Sequence, residues 1–111
     1  MLKREYREVL GTTLRNDIEK ELNIPPFDFW KSSGIWDVSI DNAIDKKYKV
    51  NILCSRKLYK KVREYLEEAY NFNEENLIAD KTYSDNIHCC YLVEEDKLEQ
   101  VYGLLRIKGT V

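Results

Sequence analysis

Apolar residues recur at spacings of three and four over residues 2–22, so that they would share one stripe along a helix. This spacing predicts an amphipathic helix. We expect Gly11 to break or kink it, because glycine costs ~1 kcal/mol relative to alanine in a helix interior. Asn23 and the Pro25–Pro26 pair end the helix, since the residue before a proline avoids helical backbone.

Two later segments alternate apolar and polar side chains with a period of two. Residues 35–41 place Trp36, Val38 and Ile40 on one face, and residues 47–54 repeat the pattern. The period predicts two strands, each with one buried face, and Trp36 is expected in the core. The short polar link between them suits an antiparallel hairpin.

The connection over residues 24–34 is rich in aromatic residues and contains two prolines and a glycine, which excludes a regular element. We expect Phe27, Phe29 and Trp30 to fold back on the core, where large aromatic side chains contribute most. The alternative is an exposed aromatic patch that recognises a partner.

A further set of elements follows Ser55, which is a favourable N-cap for a helix reaching about Tyr70. Residues 77–83 form a weak strand candidate. Residues 87–93 have apolar side chains on both faces, which predicts an inner strand covered on both sides. A last helix is predicted to open at Glu94 and to close at Gly109. Its inward positions are Leu98, Val101, Leu104 and Leu105.

The predicted order is therefore α-β-β-α-β-β-α, an α+β fold with a four-stranded antiparallel or mixed sheet and helices largely on one face. A strand, a short turn and a Lys-Leu helix start recur in residues 50–66 and 88–105. This recurrence is compatible with a weak ββα duplication. The 111 residues correspond to the size of one ordinary domain, so we expect residues 1–111 to form a single α+β domain.

Composition excludes several classes of protein. Hydrophobic residues make up 43% and charged residues 34%, which is typical of a globular chain. No apolar run approaches the ~20 residues that span a bilayer. The first residues lack an apolar signal-peptide core, and three cysteines do not form a disulfide framework. We therefore expect a cytoplasmic protein that does not contact a membrane.

Charge is distributed unevenly along the chain. Residues 1–63 carry 14 basic and 9 acidic residues, whereas residues 64–99 carry 11 acids against Lys81 and Lys97, a net charge of −9. Such asymmetry bears on partners and association rates rather than on fold. The acids form either an ordinary solvated surface or an acidic face that receives a basic protein partner, such as a toxin or nuclease.

The candidate partner-binding residues are ten of the eleven acids of that segment, with two tyrosines among them as aromatic anchors if exposed. They are Glu64, Glu67, Glu68, Glu74, Glu75, Asp80, Asp85, Glu94, Glu95, Asp96, Tyr70 and Tyr83. A ββα duplication would place the acids of residues 64–75 and 94–96 at opposite ends of the sheet, which would split the face.

The helix after Ser55 begins with basic residues and ends with acidic ones, the reverse of what the helix macrodipole favours. Its cations are Arg56, Lys57, Lys60, Lys61 and Arg63. Free N–H groups and cations at a helix start can hold an anion. The alternative function is therefore a nucleic-acid or phospholigand-binding module using Arg56–Arg63, although the acidic chain as a whole argues against nucleic acid. The other interpretation is an amphipathic helix whose charged residues are solvated and bind no ligand.

Thiol and imidazole groups are few, and they are Cys54, His88, Cys89 and Cys90. At most three could converge, and no pair has zinc spacing, so we expect no metal or cofactor. Cys54 precedes a helix start, where a thiol pKa is lowered, and His88 is the one available base.

No phosphate-loop or serine-hydrolase motif is present. The leading interpretation is a non-catalytic protein-binding module of the inhibitor or immunity type, and a small enzyme of unrecognised type is the remaining alternative.

Overall fold

The computed structural model describes residues 2–98, 101 and 103. Within them the regular elements follow the order α-β-β-α-β-β. They are α1 (Arg4–Glu21), β1 (Ile35–Asn42), β2 (Lys47–Ser55), α2 (Arg56–Tyr70), β3 (Leu77–Tyr83) and β4 (Asn86–Glu94). Single-turn 3-10 helices lie at Ile44–Lys46, Glu74–Asn76 and Glu95–Leu98. The predicted strands and the first two helices are confirmed to within two residues.

The last predicted helix falls only partly within the described residues. Leu98 ends the turn after β4, Val101 has helical backbone, and both side chains are fully buried, as expected. Leu104, Leu105 and Gly109 lie outside the described residues.

The four strands form one antiparallel sheet in the order β1-β2-β4-β3, which confirms the α+β prediction. Each edge strand carries a bulge directly after its first residue, between Ile35 and Asp37 in β1 and between Leu77 and Ala79 in β3. The edge strands β1 and β3 thus flank the central β2–β4 pair in matching positions. The ββα duplication stays a prediction, because its second helix lies largely outside the described residues.

Helices α1 and α2 cover one face of the sheet, and the core lies between them and the central strands. The apolar stripes of both helices supply the helical half of the core, as their periodicity predicts. Its fully buried members include Leu10, Leu14 and Ile18 from α1, Val62 and Leu66 from α2, and Val50, Ile52 and Cys89 from β2 and β4. The opposite face, called the open face below, carries Asn51, Leu53 and His88.

Helix α1 lies beside the edge strand β1 and satisfies its free carbonyl groups. Arg7 donates a hydrogen bond to the carbonyl of Ile40 at 3.1 Å, and Arg15 donates one to the carbonyl of Ile35 at 2.6 Å. Such bonds occupy backbone groups of the edge strand and so hinder its pairing with strands of other chains. Gly11 is buried at this contact and does not break the helix, which contradicts the expected kink. A Cβ atom there would lie 3.0 Å from the carbonyl oxygen of Val38, so the glycine permits the close approach.

Trp36 is not in the core, and this prediction was wrong. The bulge between Ile35 and Asp37 adds a residue to β1, so Ile35 is buried together with Val38, while Trp36 is 44% exposed. A bulge interrupts the alternation on which the prediction depended.

Ser55 immediately precedes α2 as predicted, but its hydroxyl does not cap the helix. The Oγ atom instead accepts a hydrogen bond from the N–H of Gly34 at 2.8 Å. It also lies 3.2 Å from the carbonyl oxygen of Ser32, to which it can donate. The side chain therefore ties the aromatic-rich connection to the start of α2.

Candidate functional site

Most of the predicted acidic residues come together at one end of the sheet. Glu94, at the end of β4, pairs with Lys47, whereas the Ser55 end of β2 pairs with the start of β4. Helix α2 starts from that Ser55 end and runs back toward Glu94. The acids are therefore not at opposite ends, contrary to the arrangement that would have split the face. We name as the acidic corner the exposed residues Glu67, Glu68, Glu74, Glu75, Glu94, Glu95 and Asp96.

Lys97 joins the segments that form the acidic corner. Its Nζ donates hydrogen bonds to the carbonyl of Asn71 at 2.6 Å and to Oδ1 of Asn76 at 3.2 Å. The amide of Asn76 in turn donates to the carbonyl of Leu92 at 3.4 Å. Asn71 directly follows α2, whose last turn contains no basic residue. Lys97 thus also brings a positive charge to the negative end of the α2 dipole.

Three of the ten predicted acids lie outside the acidic corner. Glu64 is exposed one turn earlier on α2. Asp80 lies within β3 and accepts a hydrogen bond from the hydroxyl of Tyr59 at 2.7 Å. Asp85 lies in the turn between β3 and β4, at the opposite end of the sheet, where its carbonyl accepts the N–H of Arg56 at 2.9 Å.

Neither predicted tyrosine anchor presents a ring at the acidic corner. Tyr70 is only 3% exposed, and its hydroxyl donates to the carboxylate of Asp17, which also accepts the hydroxyl of Tyr65. Burial raises the pKa of Tyr70, and the hydrogen bond to Asp17 raises it further. Tyr83 is 46% exposed but ends β3 at the side of the molecule opposite the corner.

The cations at the start of α2 lie at that opposite end. Arg56 and Lys57 line a cavity of about 240 Å³ together with Lys31, Ser32, Ser55 and Asp85. A neighbouring cavity of about 510 Å³, beside residues 22–34, adds Lys61 to this group. The first turn of α2 contains no acidic residue that would neutralise them. Asp85 and Asp28 line the same two cavities and offset part of this positive charge, so this end is basic only in balance.

Cys54 and His88 do not form the thiol–imidazole pair that the sequence left open. Cys54 is fully buried on the helix-covered face, whereas His88 lies on the open face with Nε2 3.2 Å from Oδ1 of Asn51. Burial raises the pKa of the Cys54 thiol to about 11 and that of Cys89 to about 12, the reverse of an activated nucleophile. Among residues 2–98, 101 and 103, no three side chains are grouped as metal ligands.

An exposed aromatic cluster replaces the expected packing of the 24–34 connection. Phe29 is 75% exposed and Trp30 is 98% exposed, so the expectation that they fold back on the core was wrong. The rings of Phe27, Phe29 and Trp36 pack edge to face, with centroid separations of 4.7, 5.1 and 5.3 Å. The density of aromatic residues between prolines and a glycine was the one sequence signal for this patch.

A groove of about 500 Å³ crosses the open face from Trp36 on β1 to Tyr83 on β3. Its volume is in the range of known ligand pockets. Oδ1 of Asn86 is buried there and has no hydrogen-bond partner within the part of the chain that the structure describes. Sequence reasoning missed this groove, whose lining also includes Asp37, Ser39, Asn51, Leu53 and His88.

Comparison with protein-family models, with curated proteins and with solved structures found no match. Within the described ranges, no helix combines the length and the apolar composition needed to cross a membrane.

Proposed function

We propose that the protein is a non-catalytic protein-binding module, of the inhibitor or immunity type, which holds a basic protein partner at its acidic corner. The observation that carries this proposal is the meeting of seven exposed acids at one end of the sheet. These acids come from α2, from β4 and from the two single-turn helices next to them. Segments distant in sequence thus contribute one predominantly acidic surface, with Lys97 lying among them.

The placement of these charges works against folding stability, which supports a role in binding. Glu67 and Glu68 occupy the last turn of α2, where the macrodipole disfavours an acid by about 0.3–1 kcal/mol. Cations occupy the first turn, where acids would be favoured. A cationic partner would relieve the repulsion among the corner acids. The electrostatic free energy that these acids cost in folding would then be recovered on binding.

A basic toxin or nuclease is the class of partner that fits best. A cationic surface that contacts nucleic acid is complementary to an anionic corner, and such complementarity accelerates association. The proposed location of the complex is the cytoplasm, because all three cysteines are free and buried thiols suit a reducing compartment.

The geometry gives less support to a thiol enzyme. Cys54 and His88 lie on opposite faces of the sheet, and the pKa of Cys54 is raised rather than lowered. A thiol with a raised pKa is protonated at neutral pH and is a poor nucleophile.

The test is capture of partners from the lysate of the native host by three immobilised proteins. They are the wild type, a corner variant (Glu67→Lys, Glu68→Lys, Glu75→Lys) and a control with the same charge change on α1 (Glu5→Lys, Glu8→Lys, Glu21→Lys). We expect one basic protein to be retained by the wild type and by the control and to be lost from the corner variant. A partner retained equally by all three, or an acidic partner, contradicts the proposal.

A further inference from the structure

The groove on the open face has an aromatic ring at each end. Trp36 is 44% exposed at one end, and Tyr83 is 46% exposed at the other. The polar groups of Asn51 and His88 on the floor already have partners within the protein. The amide of Asn51 donates to Asp41 at 3.1 Å, and its Oδ1 lies 3.2 Å from Nε2 of His88. What the groove offers a ligand is therefore chiefly its two exposed rings, on which a planar ring can stack.

Cations flank this groove at the Tyr83 end. The amide of Asn86 donates to Oγ of Ser32 at 3.4 Å, and Ser32 lines the small basic cavity at the start of α2. The groove and this cavity, where three cations (Lys31, Arg56 and Lys57) outnumber the one acid (Asp85), are therefore neighbours. Nζ of Lys81 lies 5.2 Å from the centre of the Tyr83 ring. A ligand whose rings occupy the groove would find cations for its anionic groups at this rim.

We propose that the open face, from Trp36 to Tyr83, binds single-stranded nucleic acid. The bases stack on the two rings, and the flanking cations hold the phosphates, a combination that is typical of single-strand binding. The exposed carboxylate of Asp37, which lines the groove, accepts hydrogen bonds from exocyclic amino groups of the bases.

The separation of the two edge strands selects a strand rather than a single nucleotide. Trp36 and Tyr83 lie on these edge strands, which β2 and β4 separate. Three interstrand spacings place the backbones of β1 and β3 about 14 Å apart. One nucleobase cannot contact both rings, whereas bases of one strand can.

The acidic character of the whole chain does not oppose this assignment. The net charge of −2 averages two ends of opposite sign. β4 alone separates Asn86 at the groove from Glu94 at the acidic corner by about 26 Å. That distance exceeds the Debye length of about 8 Å at physiological ionic strength, so the corner is largely screened from the groove. The nucleic-acid site and the proposed protein-binding corner share no residue and are tested separately.

The test is a titration of a labelled oligodeoxycytidylate of about 12 nucleotides, whose bases carry exocyclic amino groups, followed by fluorescence anisotropy at low salt. We expect the wild type to bind, and Trp36→Ala and Tyr83→Ala each to raise Kd about 5- to 100-fold. Trp36→Phe keeps a stacking ring and should retain most of the affinity. Trp30→Ala is the matched control, because it removes a 98% exposed indole outside the groove lining. Thermal unfolding of each variant shows whether it is folded.

A second arm of the experiment separates base stacking from charge alone. Arg56→Gln combined with Lys57→Gln should flatten the dependence of log Kd on log salt by about one to two. Deoxycytidine monophosphate and a duplex of the same length should bind much more weakly than the single strand. The proposal is overturned if the wild type does not bind the strand, if heparin binds as tightly, or if the alanine variants bind like the wild type. Capture of a protein rather than a strand through Trp36 would overturn it as well.

Discussion

Nζ of Lys97 donates a hydrogen bond to the carbonyl of Asn71 over 2.6 Å, which joins the turn after β4 to the end of α2. This contact brings Glu95 and Asp96 to the same end of the molecule as Glu67 and Glu68. The acidic corner is thus a product of tertiary structure, and Lys97 is the cation that links its parts.

Lys97→Met should lower the free energy of unfolding by about 1–3 kcal/mol, because it removes two charge-assisted hydrogen bonds and the positive charge beside the corner acids. Urea denaturation followed by circular dichroism measures the change. Lys60→Met, at an exposed position of α2, is the control and should have little effect. Equal stability of the two variants would show that the Lys97 contacts do not hold the corner.

Gly11→Ala should destabilise the protein by about 1–3 kcal/mol even though alanine favours a helix by about 1 kcal/mol. The added Cβ would lie 3.0 Å from the carbonyl oxygen of Val38, so α1 must move away from β1. Thr12→Ala, at the exposed neighbouring position, should be neutral or stabilising. Thermal unfolding compares the two, and a Gly11→Ala protein more stable than the wild type would refute the close packing of α1 on β1.

Stability should decline between pH 9 and pH 11 because of the buried Cys54 thiol. Burial raises its pKa from 9.0 to about 11, so the unfolded chain loses this proton at a lower pH than the folded protein. The contribution of this thiol to the free energy of unfolding is complete below pH 9 and is lost as the pH rises through about 11. It amounts to at most about 3 kcal/mol. Urea midpoints across this range should fall less steeply for Cys54→Ala, and parallel curves would contradict the assignment.

The element order was predictable from the sequence because each element has a local cause. The three- and four-residue spacing of α1 and the alternation of β2 are properties of consecutive residues. The position of Trp36 was not predictable, because the bulge in β1 depends on pairing with Cys54 and Leu53 across the hairpin. The alternation of apolar and polar residues within one strand does not reveal such a contact with another strand.

The candidate surfaces were predictable only in part, for a similar reason. The count of acids in residues 64–99 follows from the sequence, but their meeting at one end depends on β2 and β4 being antiparallel neighbours. The short turns in the sequence indicate that consecutive strands pair as hairpins. They do not indicate which strands of the two hairpins lie next to each other in the sheet. The exposure of Phe29 likewise depends on the irregular path of the 24–34 connection, which has no periodicity to read.

The most direct test of the protein-binding function is the association rate of the captured partner at about 20 mM and about 300 mM salt, where the Debye length shortens several-fold. We expect the on-rate of the wild type to fall about tenfold or more at the higher salt concentration, because the field of the acidic corner is screened. The variant with Glu67→Lys, Glu68→Lys and Glu75→Lys should associate slowly at both concentrations. An on-rate that is independent of salt and unchanged by these reversals would contradict the proposed function and leave the corner acids as ordinary solvated surface.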